Sequence, residues 1–217
     1  MNLEQARFNM VEQQVRPWSV LDATVLQTME DIPRDIFVPK ELAALAYADI
    51  EVPLSHDETM LFPRVEGRML QELELSIDDE CLLVGTGSGY TTACIANMAK
   101  HVDSIDIHDD LLEQAAINLA EINLANFTLE NKDVLAAESS FNKKYDAIAV
   151  TSSVPEYLPL FEKLLKPNGR LFIIVGSKPA MHALKVERIE DKFERTVLFE
   201  AVVKPLVGVK HKSTFTF

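Results

Sequence analysis

The feature that most constrains this chain is a run of alternating glycines, Gly85-Thr86-Gly87-Ser88-Gly89, set between the apolar tetrad Cys81-Leu82-Leu83-Val84 and a helix-forming stretch over residues 90–99. A short apolar run, then glycines, then helical texture reads as a buried strand, a tight turn and a helix start. Glycines at such a turn leave bare backbone for a ligand to lie against, and the free amides of the helix start favour an anionic or polar group. The pattern then repeats. Residues 102–107 read as a second strand, 111–122 as a helix, 127–129 as a weak third strand, 145–150 as a fourth, 158–165 as a helix and 170–175 as a fifth strand. This alternation predicts an α/β fold: a doubly wound, mostly parallel sheet with helices on both faces. Residues 183–189 and 196–203 follow each other without a helix and predict a C-terminal antiparallel hairpin at one sheet edge.

Ahead of the sheet the texture is different, and the chain divides into residues 1–75, an N-terminal helical cap with an acceptor loop, and 76–217, a Rossmann-like core. Pro17, Pro33, Pro39, Pro53 and Pro63 are half of the ten prolines in a third of the length. They cut this region into short helical pieces. Phe8, Val11 and Val15 suit one face of a first helix; Val20, Val25, Leu26 and Met29 suit a second that starts near Ser19 or Asp22. Residues 49–63 have little helical period and read as an extended loop or short strand pair, a length that is more often functional than not. Trp18 is expected to anchor the cap on the sheet.

Charge and cysteine usage narrow the function classes. Lys and Arg number 21 against 34 Asp and Glu, a formal charge of −13, which argues against gripping nucleic-acid phosphates or docking on anionic lipid. Cys81 and Cys94 make neither a disulfide framework nor a zinc site. The N-terminus lacks the basic-then-apolar order of a signal peptide, and no apolar run approaches the roughly 20 residues needed to span a bilayer. A cytoplasmic globular protein is the expectation. The histidines, His101, His108, His182 and His211 among them, are dispersed at strand or loop edges.

Two acids raise the value of the glycine turn. Asp106 ends the second strand, seventeen residues after Gly89, where a carboxylate can accept hydrogen bonds from both hydroxyls of a ribose. Asp133 follows the third strand, where a carboxylate can meet an adenine edge. The spacing is Gly-x-Gly-x-Gly rather than the Gly-x-Gly-x-x-Gly of nicotinamide and flavin folds, and Tyr-x-x-x-Lys and the phosphate-binding Gly-x-x-x-x-Gly-Lys-Ser/Thr are both missing. This form, with an acid ending strand two and a closing hairpin, resembles the class I methyltransferases that bind S-adenosylmethionine.

The resemblance narrows through Met10-Val11-Glu12-Gln13-Gln14-Val15, Ile32-Pro33-Arg34-Asp35-Ile36-Phe37-Val38-Pro39, Ala46-Tyr47-Ala48-Asp49 and the glycine turn. Together these resemble the protein-L-isoaspartate O-methyltransferase family from about Arg7 to the terminal hairpin, where Val203-Lys204-Pro205-Leu206-Val207 is similar to the family's last strand. The resemblance implies a seven-stranded sheet, S-adenosylmethionine as cofactor, and methyl esterification of isoaspartyl carboxylates in damaged peptides and proteins. It puts Gly85, Thr86, Gly87, Ser88, Gly89, Asp106, Ile107, Asp133 and Val134 on the cofactor and leaves Thr59 as the acceptor-site residue.

Two departures accompany it. The family carries an acid two positions before the first glycine, and here that residue is Leu83; a charge-assisted hydrogen bond lost there costs about 1.5–3 kcal/mol. The family's acceptor loop reads Gly-x-Gly-Gln-Thr-Ile-Ser-x-Pro, whereas this chain has Ser55-His56-Asp57-Glu58-Thr59-Met60-Leu61-Phe62-Pro63. Leu61 replaces the serine expected near the reacting carboxylate, and Asp57 and Glu58 bring negative charge to a site for an anion. One like charge about 5 Å away costs around 3 kcal/mol at an effective dielectric near 20, and Arg64 could offset part of it. Three readings follow: isoaspartyl methylation, methylation of a neutral or cationic small molecule with His56, Asp57 or Glu58 as base, and a non-catalytic interaction protein of the same fold. Ser152 and Ser153, after strand four, sit at the carboxyl edge where α/β ligands bind.

Overall fold

The computed structural model describes residues 2–136 and 141–209; His211 lies outside them. The N-terminal region holds α1 (Leu3–Met10), which runs on through a π-helical turn (Val11–Val15), then α2 (Ala23–Asp31) and α3 (Pro63–Glu72), with short 3-10 turns between. Asp22 is the N-cap of α2, its Oδ1 accepting from the amides of Thr24 and Val25 at 2.8 and 3.1 Å. Pro63 opens α3, where a missing N–H is harmless. Val11, Val15, Val20, Val25, Leu26 and Met29 are buried as their spacing predicts, whereas Phe8 is half exposed.

The sheet follows: β1 (Glu80–Val84), α4 (Tyr90–Met98), β2 (His101–Asp106), α5 (Asp109–Ala120), β3 (Phe127–Asn131), β4 (Tyr145–Val154), β5 (Leu165–Ser177), β6 (Ala180–Ile189) and β7 (Lys192–Glu200). Its order is β3-β2-β1-β4-β5-β6-β7, parallel through β5 and antiparallel for the last two strands. The chain direction across the sheet reverses between β1 and β4, the switch point where ligands of open α/β sheets bind. β1 shows why the strands read as unbroken apolar runs. Cys81 and Leu83 join the core beneath the N-terminal helices and α4, while Leu82 and Val84 join the core on the opposite face. The first core is continuous from Met10, Val20, Met29 and Leu70 to Ala147, Phe172 and Ile174, so residues 1–75 are packed onto the sheet face. Trp18 meets Phe199 of β7 edge-on at 6.3 Å, which is the anchoring role expected of it.

Two local expectations differ. Residues 158–165 make only a 3-10 turn (Pro159–Leu164), because Leu165 already pairs with Tyr145 as the start of β5. Residues 203–207 lie outside the strands. They run beside β4, with the Ser153 amide donating to Lys204 O and the Leu206 amide to Ser153 O, both at 2.8 Å. Among the described residues no helix is long and apolar enough to cross a membrane.

Candidate active site

An open cleft of about 870 Å³, partly shared with solvent, lies over the carboxyl ends of β1, β2 and β4. Its floor is the glycine turn. Gly85 has φ +93°, and a Cβ there would sit 2.2 Å from Thr151 Oγ1; Gly89 has φ +91° and lies against the Ala115 backbone. Neither position admits a side chain without displacement. The turn is held from behind: Thr86 Oγ1 bonds Ser104 Oγ at 2.7 Å, Thr92 Oγ1 bonds the same oxygen at 2.9 Å, and Asn118 Nδ2 donates to Ser88 O at 2.9 Å. The hydroxyl of Thr86 is therefore committed to the scaffold. Gly89, the residue capping α4, offers no side chain to its amides.

Asp106 is nearly buried at the end of β2, with Oδ2 accepting from the Gly87 amide at 2.9 Å and Oδ1 from the His108 amide at 3.0 Å. Both oxygens keep a lone-pair site. Asp133 accepts the Leu135 amide at 2.9 Å. Ile107 and Val134 complete this end of the cleft, so all nine residues expected on a cofactor either line it or form its floor. Thr59 also lines it, in a loop closed by a bridge to Pro53 and by the Leu54 and Met60 amides donating to Glu58 O and Val52 O. Residues 49–63 are thus an extended loop, pinned by one β-bridge around the 3-10 turn Ser55–Asp57, and Pro63 already opens α3.

The two acids of that turn do different things. Asp57 is exposed and paired with Lys204, whose ammonium holds its carboxyl below the usual carboxylate range. Glu58 lines the cleft, half-buried, and burial pushes its carboxyl up. The charge that meets Asp57 is Lys204. Arg64, expected to offset the acids, is engaged elsewhere, paired with Asp49 and lying over the rings of Phe62 and Trp18 at 4.2 and 4.7 Å. His56 stacks on His108 with ring centroids 4.0 Å apart and bonds Asp110 Oδ1 at 2.7 Å, while Ser55 Oγ donates to Asp110 Oδ2 at 2.8 Å. Leu61 is buried, and its carbonyl accepts from Arg34 Nη2 at 2.7 Å. Ser152 lines the cleft, whereas Ser153 is buried against residues 203 and 204.

Sequence reasoning missed Glu66, Thr91, His108 and Lys204, all of which line the cleft. Glu66 carried a usable signal: it falls on the stripe of α3 shared with Met69, Leu70 and Leu73, and an acid on an apolar face is informative. Lys204 carried none, because it reaches the cleft only through tertiary structure.

Residues 5–211 match the family described as protein-L-isoaspartate(D-aspartate) O-methyltransferase (PCMT). The protein-L-isoaspartate O-methyltransferase of Petrotoga mobilis is 34% identical over 192 residues, 88% of this chain and 90% of that protein. The enzyme of the same name from Methanoculleus marisnigri is also 34% identical, over 203 residues, 93% of this chain and 91% of that one. Among solved structures, a putative protein-L-isoaspartate O-methyltransferase from Plasmodium falciparum, in complex with S-adenosyl-L-homocysteine, superimposes with a TM-score of 0.78 at 21% identity, covering 95% of this chain and 98% of that one. With a match over nearly its whole length and relatives above 30% identity, this chain belongs to the protein-L-isoaspartate O-methyltransferase family.

Proposed function

We propose that this chain methylates the free carboxylate of isoaspartyl residues in peptides or damaged proteins, using the cleft over β1, β2 and β4. The observation that carries the reading is the continuity of that cleft, from Asp106 and Asp133 across the glycine turn to Thr59 in the acceptor loop. The donor set suits an adenosyl group: a glycine turn that presents bare backbone to the cleft, two carboxylates at adjacent strand ends for hydroxyl and amine hydrogens, and the apolar Ile107 and Val134 for a base. When bound there, S-adenosylmethionine supplies an electrophilic methyl group, and a carboxylate acceptor needs no general base to take it.

The chain's own residues then orient and exclude water. Asp106 and Asp133 hold the adenosyl end. Leu54, Met60 and Leu61 wall the acceptor end, with Met60 and Leu61 buried. Thr59 offers the hydroxyl that steers the acceptor carboxylate, and Lys204, lining both the cleft and the shallow groove outside it, brings a cation to the acceptor side from the C-terminal segment. Glu58 opposes that charge. It carries a second reading, a neutral or cationic small-molecule acceptor.

The deciding experiment incubates the protein with an isoaspartyl peptide and methyl-labelled S-adenosylmethionine. The expected product is a base-labile ester that releases labelled methanol. Methanol at background would reject isoaspartyl methylation, and a gain on Leu61→Ser with Glu58→Gln would then show which residues exclude that acceptor.

A further inference from the structure

Glu66 is 3% exposed, on a helix face otherwise made of Met69, Leu70 and Leu73. A carboxylate is almost never buried this far unless it is paired. Arg34, wholly buried, donates through Nη1 to Glu66 Oε2, and Thr91 Oγ1 donates to Oε1 at 3.1 Å. Arg34 also lies over the Tyr90 ring at 4.8 Å. These partners occupy two of about four lone-pair sites on an ionised carboxylate, and Glu66 is part of the cleft wall beside Tyr90 and Thr91. Burial pushes its carboxyl up against the pull of Arg34 and Thr91, so a cation arriving in the cleft favours the ionised form.

Among the described residues, three other carboxylates line the cleft. Asp106 and Asp133 stand at the strand ends assigned above to ribose and adenine, and Glu58 stands in the acceptor loop. Tyr90, Thr91 and Glu66 line the same cleft as Asp106 and Asp133, so with the adenosyl portion at those two acids this wall would be open to the cofactor's amino-acid portion. β1 offers no acid there, because Leu83 is wholly buried in the apolar core. We propose that Glu66 holds the ammonium group of the cofactor's amino-acid portion, so that this contact comes from α3 and not from β1. The inference rests on the cofactor reading above.

Calorimetry tests it with three ligands: S-adenosylhomocysteine, its deaminated analogue, and 5′-methylthioadenosine, which lacks the amino-acid portion. The wild-type protein is expected to bind the deaminated analogue about tenfold or more weakly than S-adenosylhomocysteine, the loss of one charge-assisted bond. Glu66→Gln is expected to lose a similar factor on S-adenosylhomocysteine while keeping its affinity for methylthioadenosine. Equal wild-type affinity for the parent and the deaminated ligand overturns the proposal, and this arm needs no variant. So does a Glu66→Gln protein that loses methylthioadenosine as strongly as S-adenosylhomocysteine, since its carboxylate would then serve only Arg34 and Thr91. If the wild-type protein binds none of the three, the cofactor reading itself fails, and this inference with it.

Discussion

The glycine turn and the acceptor loop face each other across one cleft and are built on opposite principles. The turn is backbone: three glycines at φ +93°, +54° and +91°, with Thr86, Ser88 and Asp106 buried and bonded inward. The acceptor loop is held by side chains. His56 and Asp57 take left-handed φ values of 56° and 58° without being glycine, a conformation that costs about 1–2 kcal/mol per residue. What holds them is an exposed set of contacts, Ser55 and His56 on Asp110 and Asp57 on Lys204. Geometry fixed by backbone admits almost no substitution, whereas geometry fixed by surface pairs can be exchanged pair by pair. The acceptor preference can therefore change while the cofactor cradle stays the same.

Breaking the backbone side of this comparison should give the largest effect. Gly85→Ala puts a methyl group 2.2 Å from Thr151 Oγ1 at a positive φ. Thr151 cannot rotate away freely, because its hydroxyl donates to Val84 O and Gly85 O at 3.1 and 3.2 Å. Overpacking and backbone strain together cost about 3 kcal/mol, so S-adenosylhomocysteine affinity by calorimetry should fall by roughly a hundredfold. An affinity within about threefold of wild type would mean that the turn is as adaptable as the loop.

The same contrast explains what could be read from the sequence. The parallel sheet, the glycine turn and Asp106 were legible because each depends on local order: apolar runs, positive φ at glycine, an acid closing a strand. Asp22 was legible as a helix start for the same reason. The loop acids were legible only as charge. Nothing near Asp57 in sequence announces Lys204, 147 residues away, and nothing near Glu58 says that it alone turns inward. Arg64 looked like the natural counterion by proximity, but its planar guanidinium is better accommodated between two aromatic rings and Asp49.

Glu58 offers the intermediate effect. At about 5 Å and an effective dielectric near 20, one carboxylate opposes another by around 3 kcal/mol, and half-exposure reduces this to about tenfold in affinity. Glu58→Gln should therefore lower KM for an isoaspartyl peptide by roughly tenfold near neutral pH. The sign of the pH dependence follows from the raised Glu58 pKa, which means that the folded protein holds this proton more tightly than the unfolded chain. Wild-type KM should fall as pH is lowered toward that value and Glu58 becomes neutral, and Glu58→Gln should flatten this part of the profile. A variant with unchanged KM and the wild-type pH profile would place Glu58 outside the acceptor's field.

The smallest effect belongs to the surface pair. Lys204→Met removes the cation that meets Asp57, leaving a carboxylate that is 94% exposed and well hydrated. Exposed pairs contribute little, so KM for the peptide should rise by no more than about threefold. Screening decides the cause: the Debye length falls from about 10 Å at 0.1 M salt to about 3 Å at 1 M, so the difference between variant and wild type should vanish at high salt. The melting temperature should stay within about a degree, because the backbone of residues 203–206 is held independently by Ser153. A salt-independent loss, or a melting temperature several degrees lower, would show that Lys204 fixes the acceptor loop structurally. The acceptor side would then be as rigidly built as the glycine turn it faces.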